Sequence, residues 1–429
     1  MFKEHPLRAE LAAELHARPH GIARAPAEVS HLAVHNGETA KQADLDHLTA
    51  LCSHFKIAPP AKDATLFACD MGPFRLKWER HTEFSAYTFI AERPFERPFK
   101  EPAIDTVPHD WLASIPGQVI AALHIAVENV DDVALAIDKA AGYFDNNTIV
   151  GGCLVDGRAA WWTDFEIHSD HFSRILLRTT DISTETIGRL IQRLVEMETY
   201  RLMAMLALPI ARDARPRVSA AESELSEILG QLAEAGGDID DRGLLANLTR
   251  LAAETERVTG LVAYRFNASR AYQEIVRDRV QALREARLDT LQPAGNFLLT
   301  RFEPAMETCD NLARRLENLS ARIARAGNLL RTRVDVALEE QNRDLLSSMD
   351  KRAQLQLRLQ QTVEGLSVAA ISYYVISLVI YLARGAKSLG VGVDPYLAGL
   401  VAFPLVFGGV WWGVRHVRKS ITKKSTKSD

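Results

Sequence analysis

The stretch GLSVAAISYYVISLVIYLA, residues 365–383, runs 19 residues without a charge, and PYLAGLVAFPLVFGGVWWGV, residues 395–414, runs 20. A hydrocarbon core about 30 Å thick is crossed by roughly 20 such residues in a helix, so the pattern predicts two transmembrane helices joined by a short loop. Tyr396 at one end of the second stretch, with Trp411 and Trp412 at the other, sits where amphipathic rings partition to the membrane–water interface. Asp394 followed by Pro395 is a cap and first-turn pair that starts a helix. Arg415, Arg418, Lys419, Lys423, Lys424 and Lys427 follow the second span as a basic membrane-surface tail. Arg343, Lys351, Arg352 and Arg358 precede the first, and the loop holds only Arg384 and Lys387. Basic residues stay on the cytoplasmic side, which places both termini in the cytoplasm and a short hairpin loop outside.

Gly409-Val-Trp-Trp-Gly413 repeats a small residue at the spacing that lets membrane helices approach closely. Gly399, Gly408 and Pro404 thin or interrupt the same span. In the first span Ser367, Tyr374, Ser377 and Tyr381 fall within about 80° of arc at roughly 100° per residue. A polar stripe facing lipid is costly, so it is expected to form a helix interface or to line a pore.

No strong breaker separates Pro304 from the first span. The chain from Ala305 to Ala383 reads as one helix of about 120 Å, at roughly 1.5 Å per residue. Leu312, Leu316, Leu319, Ile323, Ala326 and Leu330 form a heptad seam. Val334, Leu338, Gln341, Leu345, Met349, Leu355, Leu359, Val363 and Leu366 continue it with an offset, as a four-residue stutter gives. A narrow seam on a long helix needs a helical partner, from the same chain or another copy. Within the chain, Ser219 to Leu232 and Leu244 to Leu288 read as amphipathic helices, broken at Gly236-Gly237-Asp238 and ended by Pro293 and Gly295. ARDARPRVSA, residues 211–220, reads as a linker before them.

Earlier in the chain, residues 74–81 and 84–91 alternate with period two and predict a β-hairpin. Further strands are expected at Gln118–Val127, Thr148–Val155, Arg158–Asp164 and Ser173–Arg178, with helices at Asp131–Gly142 and Ser183–Leu208. Pro94, Pro98, Pro102 and Pro108 mark a long loop. The organisation expected is a cytoplasmic α+β domain with a mostly antiparallel sheet over 1–210 and a helical hairpin and coiled-coil-like stalk over 219–364. Transmembrane helices follow over 365–383 and 395–414, and a basic cytoplasmic tail over 415–429.

The charge is uneven. Residues 1–383 carry 43 Lys and Arg against 53 Asp and Glu, a net of −10, whereas residues 384–429 carry 8 against 2, a net of +6. An acidic body argues against nucleic acid as a partner, which needs a basic face. It suits a domain hung from a membrane with an anionic inner surface. Cys52, Cys69, Cys153 and Cys309 are scattered with no CxxC pair, the usage of a reducing compartment rather than of a disulfide scaffold or zinc finger.

Chemistry-bearing residues are sparse. Asp164, Glu166, His168, Asp170 and His171 combine the carboxylate and imidazole ligands that suit a divalent cation, the one cofactor these residue types point to. A solvated loop between two strands is the plainer reading. His16 and His20 have helical ligand spacing, but Pro19 breaks that helix. Gly151-Gly152 follows a strand but lacks the Lys and Ser/Thr of a phosphate loop. No hydrolase, zinc-protease or kinase motif appears, so nothing here favours an enzyme.

HPLRAELAAELHARP (5–19), TYRLMAMLALP (199–209), LLRTRVDVALEEQN (329–342) and SMDKRAQLQLRLQQTVEGLSVAAISYY (348–374) resemble a family of uncharacterised bacterial membrane-anchored proteins over nearly the whole chain. The resemblance implies the bacterial inner (cytoplasmic) membrane and no assigned activity. In architecture alone the chain is also similar to CorA-type divalent-cation channels, which are oligomers with the first span lining the pore. Their Gly-Met-Asn signature after that span is replaced here by residues 381–387, YLARGAK, with two cations at the expected ion entrance. The expectation is a self-associating, membrane-anchored scaffold or sensor. A CorA-like cation channel is the alternative, and a membrane-tethered metal-dependent enzyme the second alternative.

Overall fold

The strand at the centre of the sheet is β1, Ala27–His35, and eight of its nine residues are buried. A strand covered on both faces cannot show the apolar–polar alternation of a half-exposed one. Here Glu28, Ser30 and His31 are buried among Val29, Leu32, Ala33 and Val34, and the mixed pattern hid the strand from the sequence reading. In the computed structural model, which describes residues 4–8, 21–37, 41–233, 240–388, 392 and 394–425, β1 pairs antiparallel with β4 (Phe84–Ala91) and β5 (Gln118–Asn129). The hairpin expected at 74–91 is present as β3 (Arg75–Arg80) and β4, flanked by β2 (Leu66–Asp70). On the other side lie β8 (Ser173–Thr179), β7 (Ala159–Thr163), β6 (Val150–Leu154) and the two-residue β9 (Ala286–Arg287). The order is β2-β3-β4-β1-β5-β8-β7-β6-β9, antiparallel throughout except for the parallel pair of β5 and β8.

Helices cover both faces. On one face α1 (Lys41–His54), the loop after β4 with α2 (His109–Ala113), and the segment around α3 (Ile137–Ala141) enclose two apolar clusters. One contains Leu48, Leu51, Trp78, Phe89 and Trp111, the other Phe144, Trp162 and Leu176. Only residues 137–141 of the helix expected over 131–142 are helical. On the other face lie α4 (Thr184–Met205) and α6 (Asp241–Leu283), where Met203, Tyr200 and Tyr272 meet Ala33, Phe84, Ala86 and Ala121. His31 joins sheet to helix, its Nδ1 2.9 Å from Thr88 Oγ1 on β4 and its Nε2 3.0 Å from Thr199 Oγ1 on α4. Burial, with Lys77 and His81 nearby, pushes its pKa down to about 3, so it sits there neutral.

The stretch 211–220 is not a linker. It lies inside α5 (Ala207–Ala233), because Ala211, Ala214, Val218 and Ala221 give that helix a buried face. α6 ends at Leu283 with Arg284 in the left-handed region, short of the expected Leu288. The last two helices are α7 (Ala294–Ser388), which starts before Pro304 and runs through it, and α8 (Pro395–Ser425). The chain divides into two units, Met1–Gly327 and Asn328–Asp429. In the first unit the seam of α7 packs on α5 and α6: Arg315 donates to Glu222 at 2.7 and 3.0 Å, and Arg270 to Asp310 at 2.8 Å. In the second unit, Tyr396 N donates to Asp394 Oδ1 at 2.9 Å, the expected cap of α8. The break at 236–238, like His16 and His20, lies outside the described residues.

Candidate functional site

The cluster at 164–171 occupies the loop between β7 and β8. Local hydrogen bonds shape it. Phe165 N donates to Thr163 Oγ1 at 3.2 Å, Glu166 N to Asp164 Oδ1 at 3.2 Å, and Phe172 N to Asp170 Oδ1 at 3.0 Å. Short polar side chains that satisfy nearby amides in this way hold a loop in tight turns. Phe165 and His171 take positive φ, 55° and 68°, a conformation that costs a side-chain-bearing residue free energy.

The five candidate ligands do not converge. Asp164 and His168 are buried. His168 Nδ1 lies 2.8 Å from Asp145 Oδ2, and its Nε2 lies 2.9 Å from Asp164 Oδ2, off the line of a hydrogen bond. Asn147 Nδ2 donates to Asp164 Oδ2 at 2.8 Å. Glu166, Asp170 and His171 are exposed. Asp170 pairs with Arg174 at 3.1 Å. Its partial burial opposes ionisation, but bonds from Phe172 N and Arg174 hold its carboxyl below the usual range. Among the described residues, no group of three or more His, Cys, Asp or Glu side chains is arranged to hold a metal ion. The residue that completes the His168 pair, Asp145, lies 19 residues before Asp164 in sequence, beyond the reach of any spacing rule.

Behind this loop is a cleft of about 250 Å³, lined by Asp164, Phe165 and Glu166 of the loop, Arg201 and Met205 of α4, and the first turns of α7. Phe165 and Phe297 lie parallel with ring centroids 5.7 Å apart. Arg201 Cζ is 5.9 Å from the Phe165 centroid, and Arg301 Cζ 3.6 Å from that of Phe297. Arg201 donates twice to the buried Glu198, at 2.6 and 2.9 Å. Bidentate charge-assisted pairing of this kind is the strong form of the interaction.

The start of α7 is fastened by Glu285. Its carboxylate accepts from Ala294 N at 3.0 Å and Gly295 N at 2.8 Å, the free amides of the first turn, and from Trp161 Nε1 of β7 at 2.9 Å. A carboxylate at a helix N-terminus is favoured by both the free N–H groups and the helix dipole. Burial works the other way and raises its pKa. The glycine pair on β6 serves this packing. A Cβ on Gly152 comes within 2.3 Å of Glu285 Cγ, and one on Gly151 within 2.3 Å of the Trp161 carbonyl oxygen.

In the hairpin of the second unit, the close helix contact falls at Gly399, where a Cβ comes within 2.9 Å of Ile380, while Gly409 and Gly413 face open space. Tyr374 and Tyr381 are exposed, and Ser367 and Ser377 are half-buried. Ser367 donates back to Val363 O at 2.8 Å. Arg415 lies over Trp411 at 5.0 Å. Arg418, Lys419, Lys423 and Lys424 lie on α8, their side chains outside the described set, and Lys427 is outside the described residues. Two helices, the later part of α7 and Pro395–His416, are long and apolar enough to cross a membrane.

Over residues 3–421 the chain matches the family described as protein of unknown function (DUF3422), and it belongs to that family. No curated protein matches it.

Proposed function

We propose that the protein is a membrane-anchored, self-associating scaffold or sensor, with the α+β unit in the cytoplasm. The two apolar helices cross the bacterial inner membrane, and both termini are cytoplasmic. The observation that carries this reading is the outward direction of apolar surface in the hairpin: Leu366, Leu400 and Leu405 are 72, 73 and 74% exposed. A contiguous apolar face of that kind needs lipid or protein against it. The basic residues after Val414 support the orientation.

Self-association is supported by two faces that the second unit leaves uncovered. One is the apolar seam from Leu345 to Leu366, the other the tyrosines of the polar stripe, Tyr374 and Tyr381. In lipid a tyrosine hydroxyl needs a partner, and a second copy supplies it. The same stripe supports a second reading, a CorA-like divalent-cation channel in which it lines a wet axis.

Three measurements separate these. A reporter after Asp429 is expected to be active only in the cytoplasm and one at Ser388 only outside; a cytoplasmic loop reporter overturns the anchor topology. Tyr374→Cys is expected to cross-link between copies under mild oxidation. If Ser367→Cys and Tyr381→Cys also react with a water-soluble thiol reagent, and the reaction stops divalent flux in vesicles, the channel reading replaces the scaffold.

A further inference from the structure

We propose that the cleft between the β7–β8 loop and the first turns of α7 binds a zwitterionic amino acid with an apolar side chain. The inference rests on the sensor reading and gives it an input. At about 250 Å³ the cleft falls just below the roughly 300–1,000 Å³ of drug-sized ligand pockets. It admits one small molecule. Its apolar wall is the parallel pair Phe165 and Phe297, with Met205, Leu298 and Phe302.

The charges decide the ligand class by elimination. Two of the four ionisable side chains in the cleft are already used within the protein: Arg201 on Glu198, and Asp164 on Asn147 and the Glu166 amide. Arg301 is different. Its guanidinium lies over the Phe297 ring and makes a long hydrogen bond, 3.5 Å, to the Phe297 carbonyl oxygen. A guanidinium over a ring face keeps N–H donors for a carboxylate. The Glu166 side chain is exposed, forms no ion pair with a described residue, and accepts readily from an ammonium. A purely anionic ligand leaves Glu166 facing it unpaired, and a purely cationic one does the same to Arg301. A ligand with one carboxylate, one ammonium and an apolar side chain satisfies both and fills the aromatic wall. The loop holds Phe165 at φ 55°, and unfavourable backbone of this kind gathers at binding sites. Arg301, Phe297, Leu298 and Phe302 all lie on the helix that continues into the first apolar span.

The test is calorimetric titration of the full chain in lipid nanodiscs with L-leucine, and with its two single-charge relatives, isocaproate and isoamylamine. Leucine is expected to bind at least about tenfold more tightly than either, the discrimination expected when a charged group is left unpaired. Arg301→Gln is expected to weaken leucine binding by at least about tenfold. Glu166→Gln is expected to do the same while strengthening isocaproate binding, because the carboxylate that an anionic ligand leaves unpaired is gone. Both side chains are exposed, so neither change disturbs the core. No leucine binding at millimolar concentration, isocaproate binding as tight as leucine, or leucine binding indifferent to both substitutions each overturns the proposal. The topology reporters are independent of this result. Failed binding with an intact topology removes the site alone, and a cytoplasmic loop reporter with intact binding removes the anchor alone.

Discussion

Two stretches of α7 carry the same kind of apolar seam and meet different fates. Leu312, Leu316, Leu319, Ile323, Ala326 and Leu330 are all buried, whereas Leu345, Met349, Leu355, Leu359 and Val363 are all more than half exposed. In the first stretch α5 and α6 of the same chain lie against the helix, tied by Arg315 to Glu222 and Arg270 to Asp310. In the second the seam side chains face outward. The lesson is that heptad periodicity announces a partner without saying whose it is. The chain supplies the first partner and leaves the second seam exposed, the face that the proposed self-association would cover.

The strongest way to break this comparison is to remove a side chain from each seam. Leu319→Ala is expected to destabilise the first unit by about 3 kcal/mol, the usual cost of a buried leucine, seen as a lowered melting temperature by circular dichroism. Leu359→Ala is expected to leave that transition in place. Equal shifts would mean that the second seam is also packed within one copy.

Next in size is a pH effect confined to the first unit. Burial pushes Glu28 up to about 7 in spite of Arg93 at 3.6 Å. Its contribution is therefore fully present below about pH 4.5, where it is protonated folded or unfolded, and is lost as pH rises through 7, up to roughly 3 kcal/mol. Glu28→Gln removes that loss. His31 and His124, held neutral by burial with pKa values of about 3 and about 4, act with the opposite sign. The variant's stability is thus expected to rise with pH up to about 6.5, in denaturant titrations at pH 4.5, 6 and 8. A variant that still loses stability between pH 4.5 and 7 would show that Glu28 is not the group responsible.

Leu355→Glu with Leu359→Glu sharpens the other side. It is expected to shift sedimentation of the detergent-solubilised protein toward the smaller species while the melt stays unchanged, at about 1 kcal/mol per side chain in association. An unchanged sedimentation profile would place the contact between copies elsewhere. Smallest is Arg315→Gln. This partly exposed pair with Glu222 is expected to contribute less than about 1 kcal/mol; a larger drop would mean that it orders the bundle.

How much of this was legible follows from the same physics. The hairpin at 75–91, the strands at 118–129 and 150–179, and both apolar helices declared themselves because each has one dominant period or an uninterrupted apolar run. β1 did not, because Glu28, Ser30 and His31 find their partners in β4, the loop after it, β5 and α4, contacts up to 168 residues away. The reading of 211–220 as a linker failed because Arg, Asp and Pro looked like a break while the alanines among them formed a face. Asp164 and His168 were visible as candidates, but Asp145, Arg201 and Arg301 were not, since folding alone brings them to the loop. Gly151-Gly152 was set aside as a phosphate loop for want of its Lys and Ser/Thr, and its use, room for the Trp161 carbonyl and Glu285, shows only in the fold.

That room has a mechanical side. Glu285 grips the first two amides of α7 with one carboxylate and holds the indole of Trp161 on β7 with the same group, and β9 just after it is zipped to β6. Tension drawn along α7 therefore arrives at two adjacent strands of one sheet instead of being taken up as slack in the ten residues between α6 and α7. A bulkier residue at 152 would pry that grip open without touching the helix, leaving a rod attached to the sheet by slack chain rather than by a rigid joint.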